Sequence, residues 1–133
     1  MAEAIELVTE LPASPSEIYE AFLDAELHAA MTGAGATSDP SLGGSFTAWD
    51  GYIEGRYLEL EPGARLVAAW RTSDFEPGSG DSRIELRFEP TARGTRLVLV
   101  HSEIPDGQGE RYREGWHEYY FEPMRSYFAA DAR

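Results

Sequence analysis

The segment Gly115–Phe128 constrains the fold of this chain more than any other. Six of its fourteen residues are aromatic. At helical spacing Tyr112, Trp116, Tyr119, Tyr120, Met124, Tyr127 and Phe128 share one broad face, and Glu114, Glu118, Glu122 and Arg125 fall mostly on the other. A helix of this kind must press its aromatic face against a large apolar surface. Nearly everything ahead of it reads as strand, so the surface is a curved sheet. Pro123 interrupts the helix, because proline lacks the N–H and crowds the preceding turn. The kink divides the helix into Trp116–Tyr120, facing the space beneath the sheet, and Met124–Phe128, plugging the core.

The strands that build the sheet can be read in order. Residues 4–11 alternate, with Ile5, Leu7 and Leu11 on one side and Glu6, Val8 and Glu10 on the other. Ser14-Pro15-Ser16-Glu17 is a capping box with proline at the first helical position. The stripe Ile18, Tyr19, Phe22, Leu23, Leu27, Met31 then predicts two short helices that break near Asp24 and stop at Gly33 and Gly35. Residues 33–44 predict a mobile connection, or a lid over one end of the domain. Their glycines are no phosphate cradle, since no Gly-Lys-Ser/Thr follows and a strand comes next instead of a helix.

A meander runs from Ser45 to Ser102. Ser45–Trp49 and Tyr52–Leu60 flank Asp50-Gly51, a tight-hairpin signal. Arg65–Thr72 places Leu66, Ala68 and Trp70 on one face. Ser82–Phe88 turns Ile84, Leu86 and Phe88 inward, and Thr95–Ser102 does the same with Leu97, Leu99 and His101. Val98 and Val100 lie on the other face, so this last strand is either covered on both sides or paired at an edge. A lone first strand cannot bury itself and must join the rest. The expectation is an α+β fold: an antiparallel sheet of six or so strands with helices on one face, in a single domain over residues 1–133.

Charge and composition narrow the partners. The net charge is −13, with no lysine among the 11 basic residues. Such a surface is repelled by phosphate backbones and anionic lipids, which argues against nucleic-acid and membrane-surface binding. The absence of cysteine excludes disulfides, thiol nucleophiles and thiolate metal sites, and fits a reducing cytoplasm. The N-terminus has neither the basic region nor the apolar core of a signal peptide. No apolar run approaches the roughly 20 residues of a membrane span. A cytoplasmic protein is the expectation, with its oligomeric state left open.

No constellation in the sequence announces catalysis or a cofactor. His28, His101 and His117 include no i, i+4 pair, so no metal site is expected. His101 ends an inward-reading strand and could act as acid, base or hydrogen-bond donor; the plainer reading is a histidine satisfied by its surroundings. His28 has no obvious partner. The serines lack a nucleophile-elbow context. The candidate ligand-contacting set is Trp49, Tyr57, Trp70, Phe88, His101, Trp116, Tyr119, Tyr120 and Met124. Rings with polar tips could hold an aromatic or lipidic molecule and orient it.

Four blocks carry a family resemblance. They are Leu11-Pro12-Ala13-Ser14-Pro15 through Tyr19 and Ala21; Leu42-Gly43-Gly44-Ser45-Phe46; Gly51 through Pro62 with Arg65, Leu66 and Trp70; and Gly94-Thr95-Arg96-Leu97 with Gly115-Trp116. Over roughly residues 3–130, in that order and spacing, they resemble the Aha-type proteins named after the activator of Hsp90 ATPase. That family sits in the SRPBCC superfamily with START and Bet v 1-like domains. The resemblance implies a helix-grip fold, a curved antiparallel sheet around a long C-terminal helix, with a cavity for an apolar ligand between them. It offers three functions: a non-catalytic binder of a small hydrophobic molecule, a co-chaperone or protein-partner module, and a cyclase- or hydrolase-like enzyme using His101 and a nearby carboxylate. Met31-Thr32-Gly33 stands where members commonly carry Trp-Thr-Gly, so no role of that Trp is carried over. In the founding eukaryotic proteins, ATPase stimulation depends on a further N-terminal domain. This chain, starting on its first strand, is expected to lack it. The first of the three functions is the leading expectation.

Overall fold

The computed structural model describes residues 2–131. Seven strands form one antiparallel sheet in the order β1-β7-β6-β5-β4-β3-β2. They are β1 (Glu3–Leu11), β2 (Thr37–Ser38), β3 (Ser45–Ala48), β4 (Ile53–Glu61), β5 (Arg65–Thr72), β6 (Ser82–Thr91) and β7 (Gly94–Ile104). Helices α1 (Pro15–Leu23) and α2 (Ala25–Thr32) follow β1, and the chain closes with α3 (Gly109–Trp116), one wide turn and α4 (Glu122–Asp131). This is the helix-grip α+β fold.

Period-two alternation sets the inner face of the sheet. Ile5, Leu7 and Leu11 are buried on β1, Leu66, Ala68 and Trp70 on β5, Ile84, Leu86 and Phe88 on β6, and Leu97, Leu99 and His101 on β7. The first strand joins as expected, pairing with β7 at Leu7↔Leu99 and Val8↔Val98. β7 is therefore an interior strand, bonded to β1 on one side and β6 on the other. Its Val98 is buried on the outer face, beside an ion-pair cluster in which Arg65 and Arg87 both bond Glu85 Oε2, at 2.8 and 3.0 Å.

The capping box at Ser14 forms as read: Ser14 Oγ accepts from Glu17 N, and Glu17 Oε1 accepts from Ser14 N, each at 3.2 Å. Asp24 ends α1 and caps α2 through its bond from Leu27 N, which explains the break there. The start of α3 takes its cap from a distant strand. Glu3 of β1 accepts from Gly109 N at 2.7 Å and from Gly107 N at 2.9 Å, satisfying donors that Gln108 leaves open.

Three local expectations are corrected. The connection after α2 is pinned at several points. Thr37–Ser38 adds a seventh strand beside Phe46–Thr47, Ser38 Oγ meets Tyr57 Oη at 2.7 Å, and Gly35 and Asp50 exchange two hydrogen bonds. The β3–β4 hairpin is longer than the two-residue turn expected of Asp50-Gly51. Ala48 pairs with Ile53, so Trp49 leaves the strand and joins a four-residue turn with φ of 52°. Finally, the helix before Pro123 widens. His117–Phe121 make a π turn in which the Glu122 N–H reaches His117 O, adjoining the proline that cannot donate.

That widening changes which residues face inward. A π turn carries more residues per revolution than an α turn, so the helix phase slips between Trp116 and Met124. Phe121, off the aromatic face on a regular helix, becomes fully buried, while Tyr119 rotates out to 50% exposure. Tyr112, Trp116, Tyr120, Met124 and Phe128 remain buried.

Candidate functional site

The sheet and the C-terminal helix do not close completely on each other. A pocket of about 360 Å³ opens between the β3–β4 turn, β5 and α3. Its wall comprises Trp49, Tyr52 and Ile53 from the turn and β4, Trp70 from β5, and Arg111, Tyr112, Gly115, Trp116, Tyr119 and Tyr120 from the helix. The aromatic rings support each other edge to face: Trp70 on Tyr112 at 5.1 Å and 84°, and Trp49 on Tyr119 at 5.3 Å and 70°.

Gly115 has no local reason to be glycine. It sits inside α3, where glycine costs about 1 kcal/mol relative to alanine. A Cβ there would meet only Tyr119 Cδ2, at an ordinary 3.9 Å. What the missing side chain provides is space in the pocket wall.

The polar atoms behind the rings are satisfied within the protein. Trp116 Nε1 donates to His101 Nδ1 at 3.1 Å. Ser82 Oγ donates its single hydrogen to Trp70 O at 2.6 Å, so the 2.9 Å contact between Ser82 Oγ and His101 Nε2 is donated by the histidine. His101 is therefore a neutral Nε2–H tautomer, fully buried, and burial pushes its pKa down to about 3. Tyr120 Oη and His28 Nε2 lie 2.8 Å apart, and His28 Nδ1 lies 3.2 Å from Phe22 O. Phe22 O can only accept, so Nδ1 carries the proton, Nε2 accepts from Tyr120, and desolvation lowers the His28 pKa. His28 thus has the partner that the sequence did not reveal.

At the rim, Tyr52 Oη donates to Asp74 Oδ2 at 2.6 Å, and Arg111 Nη1 donates to the same oxygen at 3.0 Å. Burial and that carboxylate raise the Tyr52 pKa to about 12. Tyr112 Oη donates to Gln108 Oε1 at 2.7 Å and takes the Thr72 hydroxyl at 2.7 Å.

Trp49 is the exception. Among the described residues its Nε1 is the buried side-chain nitrogen without a partner. An unpaired buried N–H costs about 1–3 kcal/mol, and a non-glycine residue in the left-handed region about 1–2 kcal/mol more. Trp49 carries both. The turn is held in place by its neighbour: Asp50 N donates to Gly35 O at 3.0 Å and Asp50 Oδ1 accepts from Gly35 N at 2.8 Å.

Of the nine candidate residues, five come together on the pocket: Trp49, Trp70, Trp116, Tyr119 and Tyr120. Tyr57 lies apart from it, lining a void of about 20 Å³ with Phe22, His28 and Phe46. Phe88 packs against Tyr19 at 5.7 Å, and Met124 is fully buried in the core. His101 stands behind Trp70 and Trp116 with both ring nitrogens bonded, so it is not placed to act as acid or base on a molecule in the pocket. Tyr52, Ile53, Arg111, Tyr112 and Gly115 were missed. Tyr112 lay on the aromatic face from the start; the others join the wall through the β3–β4 turn and the neighbouring positions of β4 and α3. Among the described residues no three His, Asp or Glu side chains gather as a metal would require. No helix among them is long and apolar enough to cross a membrane.

Residues 12–129 match the family described as "Activator of Hsp90 ATPase homolog 1-like protein". The chain belongs to this family. The human Activator of 90 kDa heat shock protein ATPase homolog 1 is 36% identical over 90% of the chain, and the match spans 35% of the human protein. Hsp90 co-chaperone AHA1 of Saccharomyces cerevisiae is 28% identical over 88% of the chain, again across 35% of that protein. The chain thus spans about a third of the curated relatives it matches. Among solved structures, an HSP90 activator from Plasmodium falciparum superposes with TM-score 0.80 at 26% identity, covering 90% of this chain and 91% of that one. A Chromobacterium violaceum protein superposes with TM-score 0.76 at 29% identity, covering 94% and 96%.

Proposed function

We propose that this Aha1-type domain binds a small planar aromatic molecule in the pocket between sheet and helix, without catalysing a reaction. The observation that carries the reading is Gly115, a glycine inside a helix whose absent side chain serves no turn and relieves no clash. A volume of about 360 Å³ falls in the range of small-molecule sites. The rings of Trp70, Tyr112, Trp116 and Tyr120 give flat apolar walls to match. A thermal-shift panel of fused-ring aromatics, aliphatic lipids and sugars tests it. Aromatics at about a hundred times Kd should stabilise the fold by about 2.7 kcal/mol. A panel in which no aromatic raises Tm would contradict the reading.

A second reading is favoured by the relatives' names. An identity of 36% over 90% of the chain is shared with a human protein named as an activator of the 90 kDa heat shock protein ATPase. On this reading the domain is a module that docks on an Hsp90-type chaperone. Co-precipitation with the host's chaperone, followed by ATPase turnover with and without this chain, tests it. Absence of both binding and stimulation at moderate salt removes it.

A further inference from the structure

We propose that the molecule taken by the pocket carries an uncharged hydrogen-bond acceptor, an aryl ketone or quinone oxygen, and that the Trp49 indole N–H is the group that recognises it. The inference rests on the aromatic-ligand reading above and adds the polar half of the ligand.

The assignment comes from sorting the polar atoms around the pocket by what already occupies them. Trp116 Nε1 is bonded to His101, Tyr120 Oη to His28, Tyr112 Oη to Gln108 and Thr72, Tyr52 Oη to Asp74, and the exposed Tyr119 hydroxyl to Glu118. Each of these bonds would have to be broken before a ligand could use the group. Trp49 Nε1 has none to break. An indole N–H only donates, so its complement is an acceptor.

The backbone at Trp49 points the same way. Its φ of 52° places a bulky residue in the left-handed region, where the Gly35–Asp50 pair next door holds the turn. Strain and an orphaned donor coincide on one pocket residue, the pattern expected of a group whose partner is exogenous. In this conformation the N–H is covered, and the ring leans edge to face on Tyr119, itself half exposed. Recognition on this proposal requires a tilt of this mouth pair that turns the N–H to the pocket.

A carboxylate is disfavoured as the acceptor. Arg111, the cation on the wall, is already paired with Asp74 at 3.0 Å, and the whole chain carries −13. A neutral carbonyl oxygen meets the donor without approaching that carboxylate.

The experiment compares three probes of matched size, acetylnaphthalene, its hydrocarbon isostere isopropenylnaphthalene, and naphthoic acid, on wild type and Trp49→Phe. Affinities come from quenching of the remaining tryptophans, and the Trp49 indole N–H is followed by nitrogen-15 NMR. Wild type should bind the ketone about tenfold tighter than the hydrocarbon, the worth of one hydrogen bond. Trp49→Phe should erase that preference, so that ketone and hydrocarbon bind the variant within about twofold of each other. In wild type the indole proton should shift downfield with the ketone and not with the hydrocarbon, a readout that needs no variant. Equal binding of ketone and hydrocarbon, or a ketone preference that survives in Trp49→Phe, overturns the assignment to Trp49 while leaving the aromatic pocket standing. Naphthoic acid binding tighter than the ketone, with loss of that advantage in Arg111→Ala, overturns it in favour of an anion site. If neither neutral naphthalene binds, both the aromatic-ligand reading and this proposal fall.

Discussion

Trp116 and His101 are locked together by a 3.1 Å hydrogen bond from the indole N–H to the imidazole Nδ1, inside the protein and across the sheet–helix interface. That bond fixes the tautomer of the histidine and the orientation of the indole. It also explains how one wall of an open pocket stays ordered: Trp116 is held from behind by His101 and by Trp70, whose ring lies 5.9 Å away. The pocket is therefore bounded on this side by a buried polar relay, Trp116 to His101 to Ser82 to Trp70 O.

Replacing Trp116 with phenylalanine keeps an aromatic ring but removes the donor. His101 Nδ1 would then be a buried acceptor without a partner, which costs about 1–3 kcal/mol. Urea unfolding of Trp116→Phe against wild type checks this. A loss well under about 1 kcal/mol would mean that water reaches the histidine when the indole is gone.

The same histidine predicts an acid-side loss of stability. Burial holds it neutral in the fold down to about pH 3, while its ordinary value is 6.5. Below pH 6.5 the unfolded chain takes up a proton that the folded chain refuses. Stability therefore falls as pH drops through this window, by at most about 1.4 kcal/mol per pH unit, and is unaffected by this group at higher pH. His28, also lowered by desolvation, acts in the same direction. Unfolding free energies of wild type and His101→Gln, measured at several pH values through the window, isolate the contribution. The variant's curve should be the flatter; parallel curves would contradict the assignment.

Two adjacent tyrosines in the wide turn before Pro123 have opposite fates. Tyr119 is 50% exposed and Tyr120 is 4% exposed. Tyr119→Ala should cost less than about 1 kcal/mol, and Tyr120→Ala about 3–5 kcal/mol, the range for large aromatic deletions in a core. Equal losses in chemical denaturation would contradict the placement of Tyr119 at the surface and Tyr120 in the core.

These two tyrosines also show where reading from sequence stops. The alternation of Ile84, Leu86 and Phe88 was enough to orient β6, because a period of two leaves a strand no other way to bury its apolar side. The helix position of Tyr119 was not, because Pro123 announces a defect without saying whether the helix bends or widens. Trp49 was legible as a pocket-lining candidate by type. Its departure from the strand was not, since the turn length depends on Asp50 finding Gly35 across the fold. Arg111 lies on the wall paired with Asp74, a partner distant in sequence that the local pattern does not reveal. Gly115 entered the sequence reading only as part of the family pattern with Trp116; on the proposed reading its significance lies in the volume next to it.

That volume is the central claim, and Gly115→Leu tests it most directly. A leucine there adds helix propensity, and its Cβ meets Tyr119 Cδ2 at an ordinary 3.9 Å, so the variant should melt at or above the wild-type temperature. Titrated with a fused-ring probe that binds wild type, it should lose at least about tenfold in affinity, the loss expected when a site of this kind is filled. A Gly115→Leu protein that melts several degrees lower, or binds the probe as tightly as wild type, would contradict the account.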